Sequence, residues 1–229
     1  MIGKNSFKKK RDGLQQGIYF IINPFVKLLI RMGVTPNMVT TIGLLGNIAA
    51  AALIAWAGYL AQSDPAHLRF DLLTWGGVVM ILFSLFDMLD GQVARLGNMV
   101  SRFGALYDSV LDRYCELFNL GALSYFLIMA GYPLGALVTF IALVGSIMVS
   151  YVRARAEGVG LECKVGFMQR PERVVVTVLG CILCGIIGQT GPNNTNVAMT
   201  VLIIAMAVIA VFANITAFAR VGVCRKGLR

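Results

Sequence analysis

The feature that most constrains this chain is a series of long apolar stretches separated by short polar segments. Six of these stretches are long enough to cross a bilayer as helices, at residues 36–61, 71–95, 103–131, 132–153, 172–190 and 196–219. A hydrophobic fraction of 58% and a mean hydropathy of +0.77 are far above the values of soluble proteins. The sequence therefore predicts an all-α integral membrane protein with six transmembrane helices.

Residues 1–32 precede the first apolar stretch and form the first of two predicted regions. Residues 1–12 are strongly basic and are expected to be a disordered tail. Residues 13–32 mix apolar and basic positions, which predicts an amphipathic helix that lies along the cytoplasmic surface and is broken at Pro24. The second region, residues 33–229, is expected to be the six-helix transmembrane domain.

Basic residues are distributed unevenly between the two ends of the predicted helices. They precede the first span, lie between the second and third and between the fourth and fifth, and follow the sixth, whereas the opposite loops carry only Arg69. By the positive-inside rule, both termini are cytoplasmic in a multi-pass protein of the inner (cytoplasmic) membrane. Topology and contact with anionic lipids explain the net charge of +9, so no nucleic-acid partner is expected.

Four aspartates stand at fixed spacing in a chain where acidic residues are scarce. The run is Asp87-x2-Asp90-Gly91-x2-Ala94-Arg95-x8-Gly104-x3-Asp108-x3-Asp112. Only 11 of 229 residues are Asp or Glu, so these four are over a third of the total. Carboxylates near membrane depth need a compensating positive charge, and a hard divalent metal takes oxygen ligands. The run therefore predicts a metal site at the edge of a bilayer.

Helical spacing places this run on two faces. Its first half falls at i, i+3, i+4 and i+7 of one helix, and its second half at i, i+4 and i+8 of the next. The short connection at residues 96–101 makes the two helices antiparallel neighbours, so the four carboxylates face one another beside a groove lined by small residues. A less specific interpretation is that the aspartates form structural ion pairs with Arg95, Arg102 and Arg113.

Carboxylates at this density suit two metal ions that clamp the oxygens of a phosphoryl group during displacement. The residues alone therefore predict metal-assisted phosphoryl transfer on a membrane-borne substrate. A divalent-cation transporter, with the acids as its permeation site, is the alternative from a different class of function. The last two predicted spans do not continue a polar pathway, which argues against it.

The run matches, at every fixed position, the signature of the CDP-alcohol phosphotransferase (CDP-alcohol phosphatidyltransferase) family, and the chain resembles these membrane enzymes. The resemblance implies a CDP-linked lipid donor, release of CMP, two Mg²⁺ or Mn²⁺ ions per active site and a homodimer. The implied metal ligands are Asp87, Asp90, Asp108 and Asp112, with Asp112 also the general base. The implied CDP-lipid contacts are Asn37, Thr40, Gly91, Ala94, Arg95 and Ser101.

The family signature does not specify the acceptor alcohol, but the arginine-rich segment 150–173 bears on it. Guanidinium groups bind phosphate bidentately, although a topology signal would also supply arginines here. The segment resembles the Ser-Tyr-x-Lys-Ala-Arg-Ala-Glu and Glu-Arg-Pro-Glu-Arg motifs of bacterial phosphatidylinositol phosphate synthases, with Arg153 in place of Lys and Gln169 in place of Glu. The residues that this resemblance places on the acceptor phosphate are Ser150, Arg153, Arg173 and Arg220.

The expected reaction is transfer of a phosphatidyl group from CDP-diacylglycerol to inositol 1-phosphate, giving phosphatidylinositol phosphate and CMP in phospholipid biosynthesis. The same reaction with glycerol 3-phosphate, free inositol or another alcohol is the alternative within this enzyme class.

Overall fold

The structure, a computed structural model, describes residues 22–64, 68–163 and 165–228. Regular structure in these ranges is helical, as the apolar pattern predicts. The helices are α1 (22–31), α2 (Pro36–Ser63), α3 (Phe70–Ser84), α4 (Phe86–Leu96), α5 (Arg102–Met129), α6 (Pro133–Gly158), α7 (Arg170–Gln189) and α8 (Thr195–Gly227), with a short 3₁₀ turn at Pro192–Asn194.

In the described part of the chain, five helical segments are long and apolar enough to cross a membrane. They are Pro36–Ser63, Phe70–Leu96, Pro133–Gly158, Arg170–Gln189 and Pro192–Gly227. The stretch predicted as the third span is also a helix, α5, but it is not among these five. Its first half carries the second part of the acidic run and two arginines, Arg102 and Arg113, and these charges lower its hydropathy.

One compact unit comprises residues 1–43 and 85–111, of which 22–43 and 85–111 are described. Its apolar core has Val26 of α1 at the centre, fully buried against Val39, Leu89 and Val93. Further α1 side chains at the i−4, i+3 and i+4 positions from Val26 pack on the same core. One face of α1 is therefore committed to packing within this unit.

The break expected at Pro24 is absent from the described residues, and that expectation was wrong for residues 22–31. The helix is continuous there, with Pro24 in its first described turn. The predicted tail at 1–12 and the start of the predicted amphipathic helix, 13–21, lie outside the described residues.

The other unit comprises residues 44–84 and 112–229 and contains α3, α6, α7 and α8 with parts of α2 and α5. Its helices approach closely at small residues. A Cβ added to Gly188 of α7 would overlap the ring of Phe70, and one added to Gly185 would overlap the side chain of Thr74. In lipid the hydrophobic effect does not drive helices together, so they associate through close packing of this kind at small residues.

The turn after α4 is a helix-ending motif that sets the course of the chain towards α5. Asn98 adopts a left-handed conformation with φ of 52°, and the Met99 N–H donates to the Ala94 carbonyl at 2.9 Å. This i to i−5 bond with a left-handed residue before it is the Schellman arrangement, in which Asn is one of the few tolerated non-glycine residues.

We predict that Asn98→Ala destabilises the protein by about 1–2 kcal/mol, because alanine pays the left-handed penalty without the local hydrogen bonding of asparagine. Asn98→Gly, which removes the penalty, should retain wild-type stability. Thermal unfolding in detergent would compare the two variants. Equal melting temperatures for Asn98→Ala and Asn98→Gly would contradict the conformational explanation.

Candidate active site

Three of the four predicted metal ligands come together in the unit that contains α4. Asp87 and Asp90 lie on α4 and Asp108 on α5, and each offers a carboxylate oxygen within 4.8 Å of the others. Asp90 is buried and the other two are half-buried. The i, i+3 spacing on α4 and the short connection to α5 produce this convergence.

The chemistry of this carboxylate cluster fits a divalent metal. Carboxylate oxygens ligate Mg²⁺ and Ca²⁺ at about 2.0–2.6 Å, so ligand oxygens on one ion lie up to about 4–5 Å apart. The observed 4.8 Å falls within that spacing. The Thr40 hydroxyl donates to Asp90 Oδ2 at 2.7 Å, which fixes the orientation of the most buried carboxylate.

A cavity of about 230 Å³ opens beside these acids within the same unit. Its lining residues are Thr40, Asp90, Gly91, Ala94, Arg95, Met99, Val100, Ser101, Gly104, Ala105 and Asp108. Five of the six predicted CDP-lipid contacts are in this lining, and the sixth, Asn37, lies at its edge next to Gly104.

The two signature glycines leave polar groups access to this cavity. A Cβ at Gly91 would lie 3.5 Å from Nη2 of Arg95, so the guanidinium group extends over that glycine. A Cβ at Gly104 would lie 3.0 Å from Ser101 Oγ, which accepts a hydrogen bond from the Gly104 N–H at 2.9 Å. The small residues thus keep the helix surfaces open beneath an arginine and a serine.

The sequence interpretation did not assign Met99 and Val100, which also line this cavity. Their only sequence signal is their place directly after the turn that ends α4. Both side chains are apolar, so a search of the sequence for polar binding groups could not have identified them.

Asp112, the fourth predicted ligand, is described with the other unit. Its Oδ1 accepts a hydrogen bond from Arg170 Nη2 at 2.7 Å, and its Oδ2 lies 3.5 Å from Arg113 Nη1. The predicted ion pair between Asp112 and Arg113 is therefore present. The shorter ion pair of Asp112, with Arg170, was not predicted. The Asp112 side chain is 13% exposed, so most of its surface is buried.

A second cavity, of about 120 Å³, lies in this unit and is lined by arginines. Its lining residues are Arg113, Val149, Ser150, Arg153, Gln169, Arg170, Pro171, Arg173 and Arg220. All four predicted acceptor-phosphate residues are among them. Arg113 and Arg170 were not assigned from the sequence, although both stand beside motif residues.

The arginines of this cavity are held in different ways. Arg220 is buried and donates from Nε to the Val165 carbonyl at 2.8 Å and from Nη1 to the Val149 carbonyl at 2.6 Å. Arg153 is exposed and pairs with Glu157 one turn later on α6 at 2.9 Å. Carbonyl contacts orient Arg220 without cancelling its charge.

The described contacts give this arginine-lined cavity a positive net charge. Five arginines line it, and the carboxylates paired with them in the described part of the chain are Asp112, Glu116 and Glu157. In these contacts the five arginines outnumber the three carboxylates. Such a cavity suits a doubly charged anion that presents several acceptor oxygens.

Comparison with known proteins identifies the relatives of this fold. The family model for CDP-alcohol phosphatidyltransferase matches residues 33–218. The phosphatidylinositol phosphate synthase of Mycobacteroides abscessus is 36% identical over 190 residues, which cover 82% of this chain and 79% of the relative. That of Corynebacterium glutamicum is 33% identical over 184 residues, covering 80% of this chain and 77% of the relative.

Solved structures of the Mycobacterium tuberculosis phosphatidylinositol phosphate synthase are similar in fold. The form with CDP-DAG bound has a TM-score of 0.74 and 31% identity, covering 89% of this chain and 93% of that chain. The complex with manganese and citrate has a TM-score of 0.74 and 30% identity, covering 88% and 87%. The chain therefore belongs to the CDP-alcohol phosphatidyltransferase family and is a multi-pass membrane enzyme, a transferase of phospholipid biosynthesis.

Proposed function

We propose that this enzyme transfers the phosphatidyl group of CDP-diacylglycerol to inositol 1-phosphate, releasing CMP and forming phosphatidylinositol phosphate. The observation that carries the choice of a phosphorylated acceptor is the arginine-lined cavity, in which arginines outnumber the paired carboxylates. A phosphomonoester carries about −1.5 to −2 at neutral pH, which suits such an excess of arginine. The relatives named phosphatidylinositol phosphate synthase support the same acceptor.

The donor side of the reaction is assigned to the cavity beside the three clustered aspartates. The Mycobacterium tuberculosis relative binds CDP-DAG, and the corresponding family motif is complete in this chain. We assign the CDP-lipid to Asn37, Thr40, Gly91, Ala94, Arg95 and Ser101. Arg95 and Ser101 present donors towards this cavity, which suits the anionic diphosphate of the donor.

The proposal includes two divalent ions, Mg²⁺ or Mn²⁺, held by Asp87, Asp90 and Asp108, with Asp112 as the fourth ligand by family resemblance. When bound, such ions neutralise charge on the oxygens of the transferring phosphoryl group. A relative containing manganese supports this metal class.

The role proposed for Asp112 is to accept a proton from the acceptor hydroxyl at a carboxylate oxygen. The hydroxyl oxygen forms a bond to the β-phosphorus of CDP-diacylglycerol, the bond from that phosphorus to the CMP oxygen breaks, and CMP leaves. Hydrogen bonding from Arg170 orients the Asp112 carboxylate. Ser150, Arg153, Arg173 and Arg220 would hold the acceptor phosphate and so fix the position of the attacking hydroxyl.

The alternative acceptors differ in whether they carry a negative charge that the arginines can bind. Free inositol carries no charge and leaves the arginine-lined cavity uncompensated, whereas glycerol 3-phosphate would satisfy it and stays the rival acceptor. The transporter alternative loses its support because the chain belongs to a family of transferases.

The membrane arrangement is also proposed. We assign α5 as a sixth span, both termini to the cytoplasmic side of the inner membrane and the subunits to a homodimer, with residues 33–229 as the catalytic domain. Phe25 and Leu28 of α1 are 51% and 53% exposed, beside the basic Lys27. An apolar exposed surface next to positive charge suits a helix at the lipid interface, as proposed for the end of residues 1–32.

We predict that purified enzyme with CDP-diacylglycerol and Mg²⁺ releases CMP fastest when inositol 1-phosphate is the acceptor. A panel with glycerol 3-phosphate, free inositol and serine in the same assay measures the preference. Faster release with glycerol 3-phosphate would replace the proposed acceptor, and no release with any alcohol would contradict the transferase assignment.

Asp112→Asn should lower the turnover rate by roughly 10²–10⁴-fold, because an amide cannot accept the proton of the attacking hydroxyl. Binding of the CDP-lipid should largely survive. Asp71→Asn, which changes an exposed carboxylate paired only with Arg69 in the described contacts, is the matched control. A turnover rate of Asp112→Asn close to that of the control would exclude Asp112 as the base.

Asp90→Asn should weaken Mn²⁺ binding by about tenfold or more, since loss of even an outer-shell partner of a metal costs about 10–100-fold. Titration of the protein with Mn²⁺, followed by electron paramagnetic resonance of the free ion, measures this without turnover. Unchanged Mn²⁺ affinity in folded Asp90→Asn would remove Asp90 from the metal site.

A further inference from the structure

We infer that Glu116 is a positioning residue for acceptor binding, because it fixes the guanidinium group of Arg173 at the wall of the arginine-lined cavity. This inference rests on the proposed function, in which that cavity holds the acceptor phosphate. Glu116 stands one helical turn after Asp112 on α5 and belongs to neither the family signature nor the acceptor motif.

The contact between Glu116 and Arg173 is buried and made by two donors. Arg173 Nε and Nη2 both donate to Glu116 Oε1, at 2.9 Å and 2.5 Å, and the two side chains are 8% and 3% exposed. Arg173 Nη1 donates to the Met168 carbonyl at 3.1 Å. The guanidinium group is thus bound on both flanks.

The remaining donors of Arg173 are those available to a ligand. A guanidinium group has five N–H bonds, and these contacts use three of them, so one remains on each of Nη1 and Nη2. Arg173 also lines the arginine-lined cavity. The remaining N–H donors on Nη1 and Nη2 can bind two oxygens of a phosphate.

The backbone of Arg173 is fixed as firmly as its side chain. The Arg173 N–H donates to the Gln169 carbonyl at 3.2 Å, and the Thr177 hydroxyl donates to the Arg173 carbonyl at 2.9 Å. A free arginine side chain has many rotamers, and ordering it on binding weakens affinity. Because the backbone and the guanidinium group of Arg173 are both held in the folded protein, the side chain loses little entropy when the acceptor binds. The acceptor therefore binds to a preorganised site.

Polar side chains share an internal cavity with the pair. Glu116 and Arg173 both line an internal cavity of about 30 Å³, together with Asn47, Asn119 and Ser146. Asn119 and Asn47 are joined by a hydrogen bond of 2.8 Å. Buried charge is tolerated where such polar groups surround it, so Glu116 can hold Arg173 inside an otherwise apolar helix bundle.

A purely structural role would be to fasten α5 to α7, and kinetics separate it from positioning. Loss of a fastening lowers the melting temperature and the amount of active enzyme, and so affects kcat or both substrates together. Loss of positioning changes the KM for the acceptor selectively, because only the acceptor uses the free edge of Arg173.

The experiment measures kcat and both KM values by CMP release for wild type, Glu116→Gln, Arg173→Ala, the double variant and the control Asp71→Asn. Glu116→Gln should raise the KM for inositol 1-phosphate by about tenfold to hundredfold, as a misplaced binding group does. The KM for CDP-diacylglycerol and kcat should stay within about threefold. The double variant should resemble Arg173→Ala alone, because Glu116 acts through Arg173.

An acceptor KM of Glu116→Gln within about twofold of the control would overturn the inference, as would equal rises in both KM values or multiplicative effects in the double variant. If Glu116→Gln does not fold, Glu116→Asp replaces it. Its carboxylate retreats by one methylene, so a several-fold rise in acceptor KM supports positioning and an unchanged value contradicts it. Wild type inactive with inositol 1-phosphate would instead overturn the proposed function, which keeps the two failures distinguishable.

Discussion

The rest of this structure depends on how charges are paired inside helices that must also face lipid. In one unit, α5 presents Asp112 and Glu116 one turn apart, and α7 presents Arg170 and Arg173 at i and i+3. The spacing on each helix equals about one turn, so the Asp112–Arg170 and Glu116–Arg173 pairs join α5 to α7 at successive turns. Removing one partner of a buried pair costs about 3–5 kcal/mol, because the other charge stays buried without compensation. The pairs therefore limit how α5 and α7 can pack. Because Arg170 and Arg173 also line the arginine-lined cavity, these pairs help to set its geometry.

The acidic cluster follows from local rules, and for this reason sequence analysis could predict it. Asp87 and Asp90 share a face because α4 is a helix, and Asp108 reaches them because few residues separate α4 from α5. Nothing beyond helical periodicity and a short connection is needed to place three carboxylate oxygens within 4.8 Å. Thr40, whose hydroxyl contacts Asp90, was assigned by the family resemblance and not by local spacing.

Long-range pairing could not be predicted in the same way. Glu116 and Arg173 are 57 residues apart, and periodicity shows which residues share a helix face but not which helices pack together. Arginines beside a membrane span form the same sequence pattern whether they mark topology or bind a ligand, so Arg170 and Arg113 were left unassigned. The left-handed Asn98 and the continuous helix through Pro24 depend on local turn chemistry that apolar patterning does not capture.

Arg153 stands where the motif that this segment resembles has lysine, and the contacts of its side chain show what arginine offers there. Arg153 Nε is engaged by Glu157, which leaves both Nη groups for the arginine-lined cavity. A lysine in that ion pair would offer one nitrogen to both partners, whereas arginine divides its donors between them. The change preserves the charge of the cavity and alters only the direction of its donors. Arg153 therefore keeps the positive charge of the cavity and remains suited to an acceptor that carries a phosphate.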